Sequence, residues 1–336
     1  MHGRITRPMP DLLGIGLGFY QHDLNGHRVV GHGGDTVLFH SDLLLFVDDG
    51  IGLFVSVNSG GQGGQGKWLR DRVLEGFADR YLPDTRARIA PAVDAATAQQ
   101  HARQMAGAYR NTRREDSTFL SLLQLLSPLR VQALDDGRVA IDIAGSRSVF
   151  REVKPYLWEE EHGKRRLQAV VENGKVKNWG MEPYVFAFIF EPVPFMASMP
   201  VALLAAAALA VALLSALLWP VAALLRRRHG VAAPPASTAW VRVACGLTLL
   251  AIGLWILVVM GLEDLSDLSL KLPLAQGVTL LAFVGGLLAA LWHVRTVWRA
   301  GGSGGAKALA LAWVVAFAVL VVVGGYHHLL GFNQNH

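Results

Sequence analysis

Residues 16–46 read GLGFYQHDLNGHRVVGHGGDTVLFHSDLLLF, and residues 51–59 continue as IGLFVSVNS. This stretch is a series of paired strands. Gly16 to His22 is extended and is followed by Asn25-Gly26, a dipeptide favoured in two-residue hairpins because both positions need positive φ. A short strand then ends near His32. Ser41 to Val47 and Ile51 to Asn58 flank a turn at Asp48-Asp49-Gly50, and both are nearly all apolar, as in strands covered on two faces. A Gly-rich loop, Gly60 to Gly66, leads into an amphipathic helix near Lys67 to Tyr81. Three or four antiparallel strands with one helix make half of an α+β layer structure, because one helix covers one face. Exposed apolar surface is therefore expected around Leu43 to Val47 and Ile51 to Val57.

Downstream, Pro83 to Pro91 reads as a linker and Asp94 to Met105 as a short helix. A β-rich module then runs to about Pro194, with hairpin signals at Asp136-Gly137 and Asn173-Gly174. Its strands fit a small barrel or a sandwich. Nothing in it converges on chemistry, so it reads as a packing or spacer domain.

From about residue 196 the composition changes. Leu, Ala and Val dominate, and this part lifts the apolar fraction of the 336-residue chain to 52%. Four apolar spans, about 197–225, 239–262, 274–297 and 306–330, each reach the roughly 20 residues that cross a bilayer. The net charge of +5 does not signal nucleic-acid binding, because Arg226, Arg227, Arg228, Arg242, Arg295, Arg299 and Lys307 sit between the spans or at their ends. The intervening loop carries Glu263, Asp264 and Asp267 against Lys271. Positive charge in short loops marks the cytoplasmic side, which leaves the region before the spans facing the periplasm or exterior of an inner-membrane, multi-pass protein. Membrane lipid is then the partner to expect, and nucleic acid is not. The spans hold no central charged residue, which argues against a transport pathway.

The most chemical motif is Gly31-His32-Gly33-Gly34, followed by Thr36 to Ser41. Read alone, His32 is a structural histidine at a strand end. Residues 16–59 as a whole resemble the closing strands of class C β-lactamase-like serine hydrolases and the related penicillin-binding proteins. MHGRITRPMPDLLGIGLGFY looks like the segment before the first of those strands, and AGAYRNTRR, Ala106 to Arg114, like the opening of the extra β domain of membrane-anchored members. The resemblance implies an α+β fold: residues 1–83 as the C-terminal part of a β-lactamase-like antiparallel sheet plus helix, 84–194 as a small all-β domain, and 195–336 as a four-helix transmembrane tail. It also implies that His32, Gly33 and Gly34 wall an active site and that the backbone N–H of Asp35 is an oxyanion donor. A peptide, β-lactam or ester would be the substrate, cleaved through an acyl-serine.

The pattern is incomplete. No serine here has lysine three residues later, so the Ser-x-x-Lys nucleophile of that family is missing. Tyr109-Arg110-Asn111 matches its Tyr-x-Asn, but outside the hydrolase module. Met1 to Pro10 lacks the apolar core of a signal peptide, which favours Met1 being an internal methionine of a longer protein over a decayed gene. The expectation is a truncated, inactive hydrolase, with a non-catalytic membrane protein acting as an interaction module as the alternative. No cofactor or metal is implied. Gly61 to Lys67 imitates a phosphate-binding loop, but Trp68 stands where Ser or Thr would hold magnesium. His327 and His328 are adjacent and point different ways on a helix, and the lone Cys245 has no partner for a disulfide.

Overall fold

Asn25 and Gly26 take φ of 55° and 85°, and Leu24 bridges His27 across them, so the turn forms as its residues dictate. It joins β1 (Tyr20–Gln21) to β2 (Val29–Asp35), and β3 (Phe39–Phe46) and β4 (Ile51–Asn58) follow. The order is β1-β2-β3-β4, antiparallel throughout. Strand β2 extends three residues beyond His32, to Asp35, paired with His40. Helix α1 (Gln65–Tyr81) buries Gly66, Arg70, Leu74 and Ala78 at i, i+4 spacing against one face of this sheet. Val29, Leu44, Phe46, Leu74 and Ala78 form the core between them.

The computed structural model describes residues 6–86, 89, 92–125, 128–143, 146–263 and 267–332. Asp264, the opening residues 1–5 and Pro91, all used in the sequence reading, lie outside them. Two units emerge: Met1–Arg113 with Pro128–Val193, and Arg114–Ser127 with Pro194–His336.

In the first unit the chain continues through α2 (Ala95–Met105), started by an Asp94 cap that accepts from Ala96 and Thr97 N–H. The strands β5 (Gly107–Asn111), β6 (Leu129–Ala133), β7 (Val139–Ile143), β8 (Ser146–Lys154), β9 (Leu157–Glu160), β10 (Arg166–Glu172), β11 (Lys175–Met181) and β12 (Phe190–Pro192) form a closed barrel. Each pairs with its neighbour in sequence, and β12 returns to β5 through Phe190↔Asn111 and Pro192↔Tyr109. Trp158, Trp179, Phe150 and Ile141 fill the interior, together with Ala102 and Met105 of α2. An eight-stranded barrel of this kind is just wide enough to be filled by side chains. The sheet and barrel also pack together within the unit. Tyr20 stacks on Phe186 with centroids 3.9 Å apart, the Leu13 N–H donates to Glu182, and Lys164 bonds Asn25 and Asp79.

These observations correct the expected fold. The chain is not a β-lactamase-like sheet plus helix with an appended module. It has a closed eight-stranded antiparallel barrel, a separate four-stranded sheet and four apolar helices. The physical reason is closure: the last strand pairs with the first, so no sheet is left for the barrel strands to extend.

The second unit is built on α3 (Met199–Arg228), α4 (Ser237–Glu263), α5 (Lys271–Arg299) and α6 (Gly304–Tyr326). All four are long and apolar enough to cross a membrane, as a multi-pass membrane protein requires. Small residues, Ala208, Ala212, Ala244, Ala282 and Ala290, line the contact and allow close approach. The stretch Arg114–Ser127, inserted between β5 and β6, belongs to this unit. Its Phe119 packs with Trp255 at 5.1 Å and with Leu268 and Leu272, and its Ser121 Oγ bonds His327 Nδ1 at 3.1 Å.

Candidate functional site

Alternation along β2 divides the residues singled out from the sequence. Gly33 and Asp35 pair with Asp42 and His40 and face α1, whereas His32 and Gly34 face the opposite side. The His32 ring donates from Nδ1 to the Gly18 carbonyl at 2.6 Å. A Cβ at Gly33 would come within 2.9 Å of Tyr20 Oη and Asp42 Cγ, so glycine is required by what lies behind the strand. A Cβ at Gly34 would meet open space. Asp35 accepts from Arg70 Nη1 and pairs with His40 Nδ1, both at 2.9 Å.

Between the sheet and α1 lies a polar cluster that local sequence patterns do not reveal. Arg70 is 5% exposed and bonds Asp71, Asp35 and the Ser41 carbonyl, fastening α1 to β2 and β3. Tyr20 Oη donates to Asp42 Oδ1 at 3.3 Å and receives the Gly33 N–H. Burial, then the Asp42 carboxylate, push the Tyr20 phenol well above its ordinary value. Burial also raises Asp42, relieved by His22 and Arg70, and lowers His22, whose Nδ1 has no partner among the described residues. The one sequence signal for this cluster is its apolar setting: Asp42 stands in SDLLLFV, where a charge is costly unless paired.

These groups hold the fold together without forming a nucleophile–base pair. In the first unit Ser41 bonds Ser56, Ser59 accepts from Gly61 N–H, and Ser148 is held by Arg165. Serine–histidine contacts lie in the second unit, at Ser121–His327 and Ser237–His293. Each joins two buried residues from separate segments. Among the described residues no group of histidine, cysteine and carboxylate side chains could hold a metal ion. Tyr109, of the Tyr-Arg-Asn match, lies in the barrel, where its hydroxyl donates to the Met105 carbonyl.

The outward face of the sheet is the remaining feature. Phe39 is 50% exposed and Phe54 64%, beside half-buried Leu43 and Leu45, and no element covers them among the described residues. Of the surface expected around Leu43 to Val47 and Ile51 to Val57, Phe54 is the large apolar residue that is exposed; Leu44 and Phe46 are buried, and Phe39 lies outside those ranges.

Fold and site together describe a multi-pass membrane protein carrying an unclosed sheet and a sealed barrel in one unit. No family model matches the chain. No curated protein matches it. Among solved structures the chain is similar to one titled as SurE with D-Leu, at 16% identity over 54% of this chain and 39% of that chain, with a TM-score of 0.31. A second SurE structure gives 15% identity over 54% and 38%, with a TM-score of 0.29. The chain thus spans about two-fifths of the SurE chains it matches. The resemblance to class C β-lactamase-like serine hydrolases is withdrawn: the barrel and separate sheet replace the expected architecture, and no family model supports it.

Proposed function

We propose that the chain is a membrane-anchored, non-catalytic binding protein whose four-stranded sheet takes a polypeptide partner across its open face. The observation that carries this reading is the exposure of Phe39 and Phe54 on the face opposite α1. Phe39 and the Leu43↔Phe54 pair flank the hydrogen-bonded Ser41–Ser56 pair on this face, and large aromatic side chains left exposed there support a contact surface. The barrel has no open edge and a filled interior, and it acts as a rigid spacer. The basic loops of the helical unit support an orientation with the sheet outside the cytoplasm.

Cysteine accessibility tests both parts of the reading. The native Cys245 is buried in the helical unit and is the chain's single cysteine, so introduced thiols report cleanly. In intact cells stripped of their outer layers, a membrane-impermeant maleimide is expected to label Lys175→Cys on the barrel. Phe54→Cys is expected to be protected there and to react only after the protein is purified. Equal labelling of the two in the membrane would remove the partner, and labelling of neither until lysis would reverse the orientation.

A further inference from the structure

The helical unit gathers most of its cations at one end. Arg226, Arg227 and Arg228 close α3, Arg242 lies just past the first turn of α4, Arg295 and Arg299 end α5, and Lys307 begins α6. Contacts between the helices bring these ends together: Arg242 lies over the Trp219 ring at 5.1 Å, Ser237 meets His293 at 2.9 Å, and Lys307 lies over Trp298 at 5.7 Å. The unit's described carboxylates, Glu115, Asp116 and Asp267, belong to the opposite end, with His327 and His328. None of the clustered cations has an ion-pair partner among the described residues.

Arg242 is the informative member. It lies past the first turn of α4, over the Trp219 ring, and the ionic charge acting on it is that of Arg226, another cation. Two guanidinium groups that repel one another at the edge of an apolar bundle form a site for an anion. Trp219, Trp240, Trp292 and Trp298 are all substantially exposed at the same end, forming the aromatic belt that settles at headgroup depth. An occupant must therefore carry its negative charge at that depth and apolar chains beside the exposed Leu217 and Leu218 of α3. Neither a soluble acidic protein nor a free phosphate has an apolar chain to place against the leucines.

We propose that the notch between the C-terminal part of α3 and the N-terminal part of α4, marked by Arg226, Arg242 and Trp219, is a headgroup site for an anionic phospholipid. The site goes beyond the binding role of the sheet and stands or falls separately from it.

The full chain, purified in mild detergent and offered mixed phosphatidylglycerol and phosphatidylcholine, is followed by native mass spectrometry of the lipid it retains. Phosphatidylglycerol is expected to be preferred by on the order of tenfold, as two guanidinium contacts at a headgroup imply. Arg226→Gln with Arg242→Gln removes the preference, while Arg295→Gln with Arg299→Gln, on α5, leaves most of it. Should the first pair fail to fold, Arg226→Gln alone, in the last turn of α3, weakens the preference in the same direction. Equal retention of the two lipids by the native chain would overturn the proposal. So would equal losses in the two double variants, which signify diffuse attraction, and so would displacement by inorganic phosphate, which signifies a small-anion site.

Discussion

Trp158 and Trp179 in the barrel are sealed from solvent, while Phe39 and Phe54 on the sheet stand half or more exposed, although all four are aromatic residues in or beside antiparallel strands of one unit. The barrel closes because β12 finds β5, so every strand has two neighbours and Trp158, Trp179 and Phe150 share a closed apolar core. The sheet has β4 at one edge and, at the other, a β1 only two residues long. One helix covers one of its faces. Closure concentrates stability, and openness leaves surface for something else. The two regions thus divide the work within a single folded unit.

The comparison is broken most directly by truncating one aromatic residue on each side of it. Trp158→Ala removes a fully buried side chain from a packed interior and is expected to cost about 3–5 kcal/mol. Phe54→Ala removes an exposed one and is expected to stay within about 0.5 kcal/mol. Urea unfolding of the full chain in detergent, followed by near-ultraviolet circular dichroism, measures both. A Phe54→Ala cost close to that of Trp158→Ala would mean the face is already covered in the isolated protein, and the contrast would disappear.

How far such a contrast could be read beforehand depends on the range of the interactions. The hairpins were legible because Asn25-Gly26, Asp136-Gly137 and Asn173-Gly174 are local, and Gly26, Gly137 and Gly174 all take positive φ. The four spans were legible because lipid demands a continuous apolar length. Barrel closure was not, since it depends on three residues, Phe190–Pro192, meeting a strand far upstream with no local signal. The excursion Arg114–Ser127 was equally hidden, because its Phe119 finds Trp255 and Leu272 only once the helices have assembled. At the site, the glycines were visible but their neighbours were not. Gly33 is glycine because Tyr20 and Asp42 approach from behind, a contact set by pairing between separate strands. A likeness built on residues 16–59, the opening segment and Ala106 to Arg114 therefore outran the architecture.

A smaller effect is expected where the sheet is fastened to its one helix. Arg70 is buried, and removing it takes the guanidinium donor from Asp35, Asp71 and the Ser41 carbonyl, leaving Asp35 with His40 and Asp71 with Lys67. Both carboxylates are 40% exposed, so water takes over part of that role. Arg70→Met, which keeps the apolar stem, is expected to cost about 1–3 kcal/mol, chiefly from lost hydrogen bonds. Asp35→Asn should cost less, because Asp71 and Ser41 still hold the guanidinium. The same urea series ranks them, and a larger loss for Asp35→Asn would place the anchor at β2 rather than on the helix.

The smallest expected effect concerns the barrel's own buried charge. Glu152 accepts from the Tyr156 N–H at 2.6 Å and meets His101 Nδ1 at 2.8 Å, while burial holds its carboxyl above the ordinary 4.5. The unfolded chain releases that proton first, so between the two values the folded barrel binds more protons. Its contribution is therefore complete below about 4.5 and is lost as pH rises through the folded value. Glu152→Gln keeps an acceptor for both donors but cannot ionise, and it should flatten this decline. Urea midpoints collected upward from pH about 4 make the comparison, with Phe54→Ala as the control that keeps the native slope. If Glu152→Gln declines as steeply as the native chain, the pH dependence originates elsewhere, and Asp42 beneath the sheet, also raised by burial, becomes the group to replace next.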